Sequence, residues 1–292
     1  FGVDQRALLR SKGNEPHILV MTATPIPRTL ALTIYGDLDL TLLDEMPPGR
    51  QIVDTYILAP SERERAYRLI NSQVEQGFQA FIIYPLVEES ENSESKSAVE
   101  EYARLKESVF PRFSIGLLHG RMKQEDKDEV MERFRAGDYS ILVSTSVIEV
   151  GVDIPKATVM LVEGANRFGL AQLHQFRGRV GRGADKAFCI LIPDKADAVE
   201  NERLQVMAQT NDGFILAEKD LEQRGPGEFL GTRQSGYPDL RLANLTDIHL
   251  IEKARRYAQM IIANDPELQQ TEHHLLRAAL QHSWRDVKID MS

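Results

Sequence analysis

Ser114-Ile115-Gly116-Leu117-Leu118, then Lys123 to Arg135, then Ser140-Ile141-Leu142-Val143 is the stretch from which the fold can be read. An apolar run ends at a loop, a charged stretch of helical period follows, and a second apolar run closes the unit. Two strands joined through a helix in this way lie parallel. Working outward, further strand candidates stand at Ala80 to Tyr84, Thr158 to Val162 and Ala187 to Ile192, with helix candidates at Glu62 to Glu75, Ala98 to Val109 and Leu170 to Arg177. The alternation from Gln51 to about Asp194 predicts a three-layer α/β domain whose parallel sheet is covered on both faces, with ligands at the carboxyl ends of the strands.

On either side the pattern changes. His17 to Met21 reads as a buried strand running into Thr22-Ala23-Thr24-Pro25, followed by a helix over Arg28 to Tyr35. Pro47-Pro48-Gly49 is the first strong break. Glu88 to Lys96 has the composition of a solvated loop. Past Asp194 the strand signals stop: Ala196 to Gln209 and Phe214 to Gln223 form a helical hairpin about Asn211-Asp212-Gly213, and further helices follow at Asp247 to Ala263 and His274 to His282. The divisions are therefore 1–46, 47–195 and 196–292. The chain opens on Phe1, not Met, with no start signal, which leads us to expect a piece of something longer.

The chain has 292 residues, 42% of them hydrophobic, and no apolar run near the roughly 18 to 20 needed to span a bilayer. Its single Cys189 excludes an internal disulfide and fits a reducing compartment, so a cytoplasmic location is expected. A net charge of -9 argues against a surface coated for nucleic acid, but the charge is sorted. Gly164 to Lys186 holds five basic residues against one acidic, and Tyr84 to Glu107 seven acidic against three basic.

The basic segment contains Gln175-Phe176-Arg177-Gly178-Arg179-Val180-Gly181-Arg182. Three arginines beside glycines can converge on a phosphate, because guanidinium matches it bidentately and offsets charge that develops in phosphoryl transfer. The plain alternative is a basic helix end facing solvent. Ser144 to Pro155 follows a strand directly; its hydroxyls suit backbone phosphates, and Asp153 could bridge to a ribose or to the arginines. His119-Gly120-Arg121 sits between a strand and a helix.

Taken together and in this order, these segments resemble the later motifs of superfamily 2 helicases: Thr22 to Thr24 the third, Ala80 to Glu89 the fourth, His119-Gly120 an element after it, Ser144 to Asp153 the fifth, and Gln175 to Arg182 the sixth. The resemblance implies that 47–195 is a second RecA-like lobe and 1–46 the end of a first. Arg179 and Arg182 would be arginine fingers and Gln175 would lie beside the phosphate and the attacking water. Thr22, Thr24, Glu149, Gly151 and Asp153 would couple nucleotide state to lobe closure. His119, Ser144 and Thr145 would touch DNA. Asp220 to Gly236 resembles the translocation motif of bacterial branched-DNA translocases in that superfamily, with Arg203 and Arg224 in an arginine network and Gln234 on a moving loop.

That likeness implies the C-terminal part of an ATP-dependent, monomeric, cytoplasmic and nucleoid-associated motor acting on forks and Holliday junctions in recombination and repair. A transcription-repair coupling translocase, or a docking protein that kept only the second lobe, are the competing readings. Neither a G-x-x-x-x-G-K-[ST] loop nor a D-E-x-H box occurs in the chain, and Asp44-Glu45-Met46-Pro47 is wrongly placed for the latter. ATP and Mg²⁺ would then be held mainly by the first lobe, and the chain alone is expected to be inactive. No residue in the chain is expected to ligate a metal.

Overall fold

A computed structural model describes residues 17, 19, 21–22, 41–47, 50–85, 93–145, 153–224 and 248–283. They fall into two compact units, one running from Leu43 to Asp220 and the other made of residues up to Leu42 together with those from Leu221 onward.

The first unit is built on six parallel strands: β1 (Val53–Ile57), β2 (Gln79–Ile83), β3 (Ile115–Leu118), β4 (Ile141–Ser144), β5 (Ala157–Glu163) and β6 (Ala187–Ile192). Their order across the sheet is β1-β6-β5-β2-β4-β3. β2 and β5 are buried along their whole length, which is why they read as unbroken apolar runs in the sequence.

The chain first crosses the sheet in one direction, through α1 (Arg63–Glu75) and α2 (Ser93–Arg104), and then returns through α3 (Gln124–Ala136) and α4 (Leu170–Arg177) to α5 (Glu202–Gln209). Right-handed crossovers put outward and returning helices on opposite faces. The packing agrees. Ala66, Tyr67, Ile70 and Val74 of α1 share one core with Ala80 and Ile82 of β2, and Phe134, Leu173, Phe176 and Leu204 share the other with Phe81 and Ile83. Cys189 lies in that second core on β6, where burial pushes its thiol up to about 12.

The parallel α/β reading therefore holds, with three adjustments. β1 was not anticipated: it is an edge strand on which Val53 is buried while Tyr56 is 49% exposed, and among the described residues it pairs only with β6. Helix α2 begins at Ser93, so part of the segment read as a loop is helical. Of the strand expected at 17–21, the described residues His17, Leu19 and Met21 are not in a strand, and Leu19 and Met21 are 80% and 81% exposed. A lone strand without paired neighbours has nothing to hold it.

The hairpin follows as expected, with α5 and α6 (Gly213–Arg224) separated by a turn. Asn201 caps α5 by accepting from the backbone N–H of Arg203, and Asp212 caps α6 by accepting from that of Phe214. Leu204, Met207 and Leu216 join the core of the sheet, so the first unit takes in residues 196–220, which the sequence reading assigns to the next segment.

In the second unit are α7 (Ile248–Asn264) and α8 (His274–Ser283). Asp265 ties their connection together, accepting from the backbone N–H groups of Gln269 and Gln270 and pairing with His273 Nδ1 at 2.8 Å.

Candidate functional site

The turn at the end of α4 gathers the arginines. α4 presents Leu170, Leu173, Phe176 and Arg177 to the interior and stops at Gly178. The chain then turns sharply: Gly181 has φ +71°, and a Cβ there would lie 2.9 Å from Val53 Cγ2. Glycine is required at that point both by the backbone angle and by the close approach to β1.

Arg182 points back along this turn. Its Nε donates to the Gly178 carbonyl at 3.1 Å and its Nη1 to Asp153 Oδ1 at 3.3 Å. Asp153 precedes β5, and residues 29 apart in sequence meet here, one of the two bridges expected for Asp153. Arg179 is half-buried on the same turn, and Gln175 lies at the end of α4, also half-buried.

Arg177 departs from the expectation that three arginines converge. It is 3% exposed and faces the opposite way, into the lobe. Its Nη1 donates to the carbonyls of Met207 and Thr210, both at 2.8 Å, where α5 ends. Its Nη2 lies 3.1 Å from His174 Nδ1. A guanidinium only donates, so that imidazole nitrogen accepts and the ring is neutral with its proton on Nε2. The reason is helical spacing: Arg177 is seven residues after Leu170 and four after Leu173, on the buried stripe, whereas Arg179 and Arg182 lie past the helix end.

Burial, with Arg177 and Arg50 nearby, holds the His174 imidazole down to about 4. Unfolded, it titrates near 6.5. A depressed histidine contributes its stability in full above about pH 6.5 and loses it as the pH falls towards 4, here on the order of 3 kcal/mol. His119 is shifted in the same direction, by burial and by Lys127 and Arg121. Urea unfolding of the chain at pH 7 and pH 4.5 should therefore show a loss that His174→Gln largely removes. An equal loss in both proteins would refute the assignment.

Arg50 is a member of this cluster that sequence reasoning missed. Following Pro47-Pro48-Gly49, it donates from Nη2 to the Gly178 carbonyl at 3.0 Å. Burial and the charge of Arg182 both lower its pKa, against a smaller opposing effect of Asp153.

The remaining expected residues are scattered. Ser144 ends β4 and Thr145 follows it, and both are buried; the Ser144 hydroxyl donates to the Thr145 carbonyl at 2.8 Å, and Thr145 Oγ1 is enclosed without a partner among the described residues. His119 sits at the end of β3, where Lys127 Nζ donates to the neighbouring Gly120 carbonyl at 2.9 Å. Arg203 is half-buried near the start of α5, and Thr22 is exposed in the second unit. Thr24, Glu149, Gly151, Gln234 and the side chain of Arg224 lie outside the described residues.

A separate cavity of about 380 Å³ opens where β2 and β5 end. Its arginines are already committed: Arg63 holds Glu163 through two bonds of 2.7 and 3.0 Å, and Arg104 holds Glu101 and the Tyr67 hydroxyl. It therefore offers a phosphate less than the turn after α4, where among the hydrogen bonds described Arg182 meets one carboxylate, Asp153, and Arg50 meets a backbone carbonyl.

Residues 62–184 match the helicase conserved C-terminal domain, and residues 210–292 match ATP-dependent DNA helicase RecG, domain 3, C-terminal. The chain is 54% identical over 270 residues to the ATP-dependent DNA helicase RecG of Synechocystis, covering 92% of this chain and 32% of that protein. With the Bacillus subtilis protein of the same name it shares 46% over 284 residues, covering 97% and 42%. Over nearly its whole length the chain is similar to the C-terminal portion of RecG. A solved RecG structure, bound to a three-way DNA junction, superposes with a TM-score of 0.63 at 46% identity, covering 82% of this chain and 32% of that one. What the chain matches is the C-terminal portion of RecG, and it spans about a third to two-fifths of the length of these relatives. No helix among the described residues is long and apolar enough to cross a membrane.

Proposed function

We propose that the chain provides the second motor lobe and the translocation attachment of an ATP-dependent helicase that works on branched double-stranded DNA in recombination and repair. The observation that carries this reading is the turn after α4, where Arg182 is aimed by Gly178 and Asp153 in a chain otherwise RecG-like over 92% or more of its length. In this reading 47–195 acts as the lobe and 196–292 as the attachment, with 1–46 closing a first lobe.

The donors on the turn suit phosphate. Neither a G-x-x-x-x-G-K-[ST] loop nor a D-E-x-H box occurs in the chain, so in this reading Mg²⁺ and most of the nucleotide would be held by the first lobe. Mg²⁺ there would neutralise charge on the phosphate oxygens. Arg179 and Arg182 act as fingers on the transferring phosphate, and Gln175 orients the attacking water. Thr22, Thr24, Glu149, Gly151 and Asp153 link nucleotide state to closure of the lobes. His119 meets the DNA backbone; Ser144 and Thr145, whose side chains are buried, contribute to that contact through the end of β4. Arg203, Arg224 and Gln234 carry the motion into the attachment. The motor works as a cytoplasmic monomer.

The test compares the complete protein that carries this chain with the chain alone. The complete protein should bind forked DNA in preference to linear duplex, with a steeper fall of affinity with salt than the chain alone shows, because the slope counts phosphate contacts. Fork-stimulated ATP hydrolysis should be confined to the complete protein. No preference for forks would overturn the substrate, and turnover by the chain alone that Arg179→Ala abolishes would overturn the division of labour.

A further inference from the structure

Two guanidiniums converge on one carbonyl. Gly178 O accepts from Arg50 Nη2 at 3.0 Å and from Arg182 Nε at 3.1 Å, which fills the two acceptor positions a carbonyl possesses. That carbonyl lies at the carboxyl end of α4, the negative end of the helix, where cations are favoured. The two side chains come from distant parts of the chain, Arg50 being 128 residues from Gly178.

The arrangement is not what stability alone would choose. Arg50 is partly buried, its Nε is enclosed without a hydrogen-bond partner, and the neighbouring charge of Arg182 opposes its own. The titratable groups facing it are Arg182, His174 and Asp153. His174 is neutral, so Asp153 is the carboxylate that offsets the two cations, and its side chain is 65% exposed. Desolvated like charges are retained at sites where they serve a purpose other than stability.

We propose that Arg50 is a positioning residue for the finger turn, fixing the Gly178 carbonyl that in turn sets the direction of Arg182. This rests on the reading of Arg182 as a finger. Without Arg50 the carbonyl is free to rotate with its peptide, and Arg182 loses a fixed anchor at Nε while keeping its exposed contact with Asp153. A misplacement of about 1 Å at a reacting centre can cost on the order of 100-fold in rate.

The experiment is a double-mutant cycle in the complete protein, using Arg50→Met, Arg182→Ala and both together, with fork-stimulated ATP turnover and the KM for ATP as readouts. Thermal unfolding of the same proteins runs alongside. Arg50→Met should lower kcat by about 10- to 100-fold with KM changed less than about threefold. The double variant should be no slower than Arg182→Ala, because Arg50 acts only through Arg182. The melting temperature of Arg50→Met should match or exceed that of the parent, since removing one of two like charges relieves repulsion. A parent-like kcat in Arg50→Met, or losses that multiply in the double variant, would overturn the proposal. So would a fall in melting temperature that accounts for the lost turnover, which is the signature of a merely structural role. If Arg182→Ala itself turns over like the parent, the finger reading falls, and this inference with it; a collapse in Arg182→Ala with a silent Arg50→Met overturns this inference alone.

Discussion

Arg182→Ala in the complete protein is expected to lower fork-stimulated ATP turnover by about 1,000-fold or more, with nucleotide affinity reduced less than about tenfold. The imbalance between the two follows from where Arg182 is held. Nε is fixed on Gly178 and Nη1 rests on Asp153, leaving Nη2 available. The contact to Asp153 is long and its carboxylate is 65% exposed, so it contributes at most about 1 kcal/mol and can be exchanged cheaply for a phosphate. A side chain that transfers from a weak resting partner to the charge developing during reaction acts on the transition state more than on the bound nucleotide. Arg182→Lys should recover little, because an ammonium cannot keep the Gly178 bond and offer a fork at once. Stopped-flow nucleotide binding alongside steady-state phosphate release measures both quantities. Loss of affinity and rate in equal proportion would show that Arg182 binds the ground state, and a loss of rate below tenfold would remove it from the chemistry.

Arg177→Met is expected to act quite differently, costing the isolated chain about 3 kcal/mol of stability. The methionine would fill most of the volume but leave the carbonyls of Met207 and Thr210 without their buried donor. Hydrogen bonds to a charged group contribute about 1.5 to 3 kcal/mol each, and a part of that returns because the desolvation of the guanidinium is avoided. Burial already lowers the Arg177 pKa, which registers that cost. Arg177→Lys should be nearly as damaging, since one ammonium on a flexible stem cannot serve two carbonyls and the His174 nitrogen in one plane. Urea unfolding gives the answer directly; a change in midpoint equivalent to under 1 kcal/mol would mean the α5 carbonyls find other donors. On the proposed reading, the pair of variants would separate two arginines five residues apart, Arg182 serving turnover and Arg177 docking the hairpin.

These two roles mark how far the sequence could be read. β2, β4, β5 and β6 are legible because strands covered on both faces must be apolar throughout, and α1, α3 and α4 because one stripe faces the core. β1 was missed because an edge strand needs only one buried side, and Asp54 and Tyr56 break its apolar run. The meeting of Asp153 with Arg182 is one of two bridges, to a ribose or to the arginines, that residue type and order allow. The split between Arg177 and its neighbours was not, although the spacing from Leu170 and Leu173 held the signal. Arg50 had no such signal: a single arginine after Pro47-Pro48-Gly49 acquires meaning only when the fold brings Gly178 beside it.

The placement of Cys189 has a practical side. The only thiol in these 292 residues is sealed in the sheet and stays protonated far above neutral pH, so thiol reagents that require thiolate will pass it by. A cysteine introduced at an exposed position of this chain, such as Asp185, would be the one group such a reagent finds. A fluorophore could thus be set on this chain beside the turn after α4 without first removing Cys189.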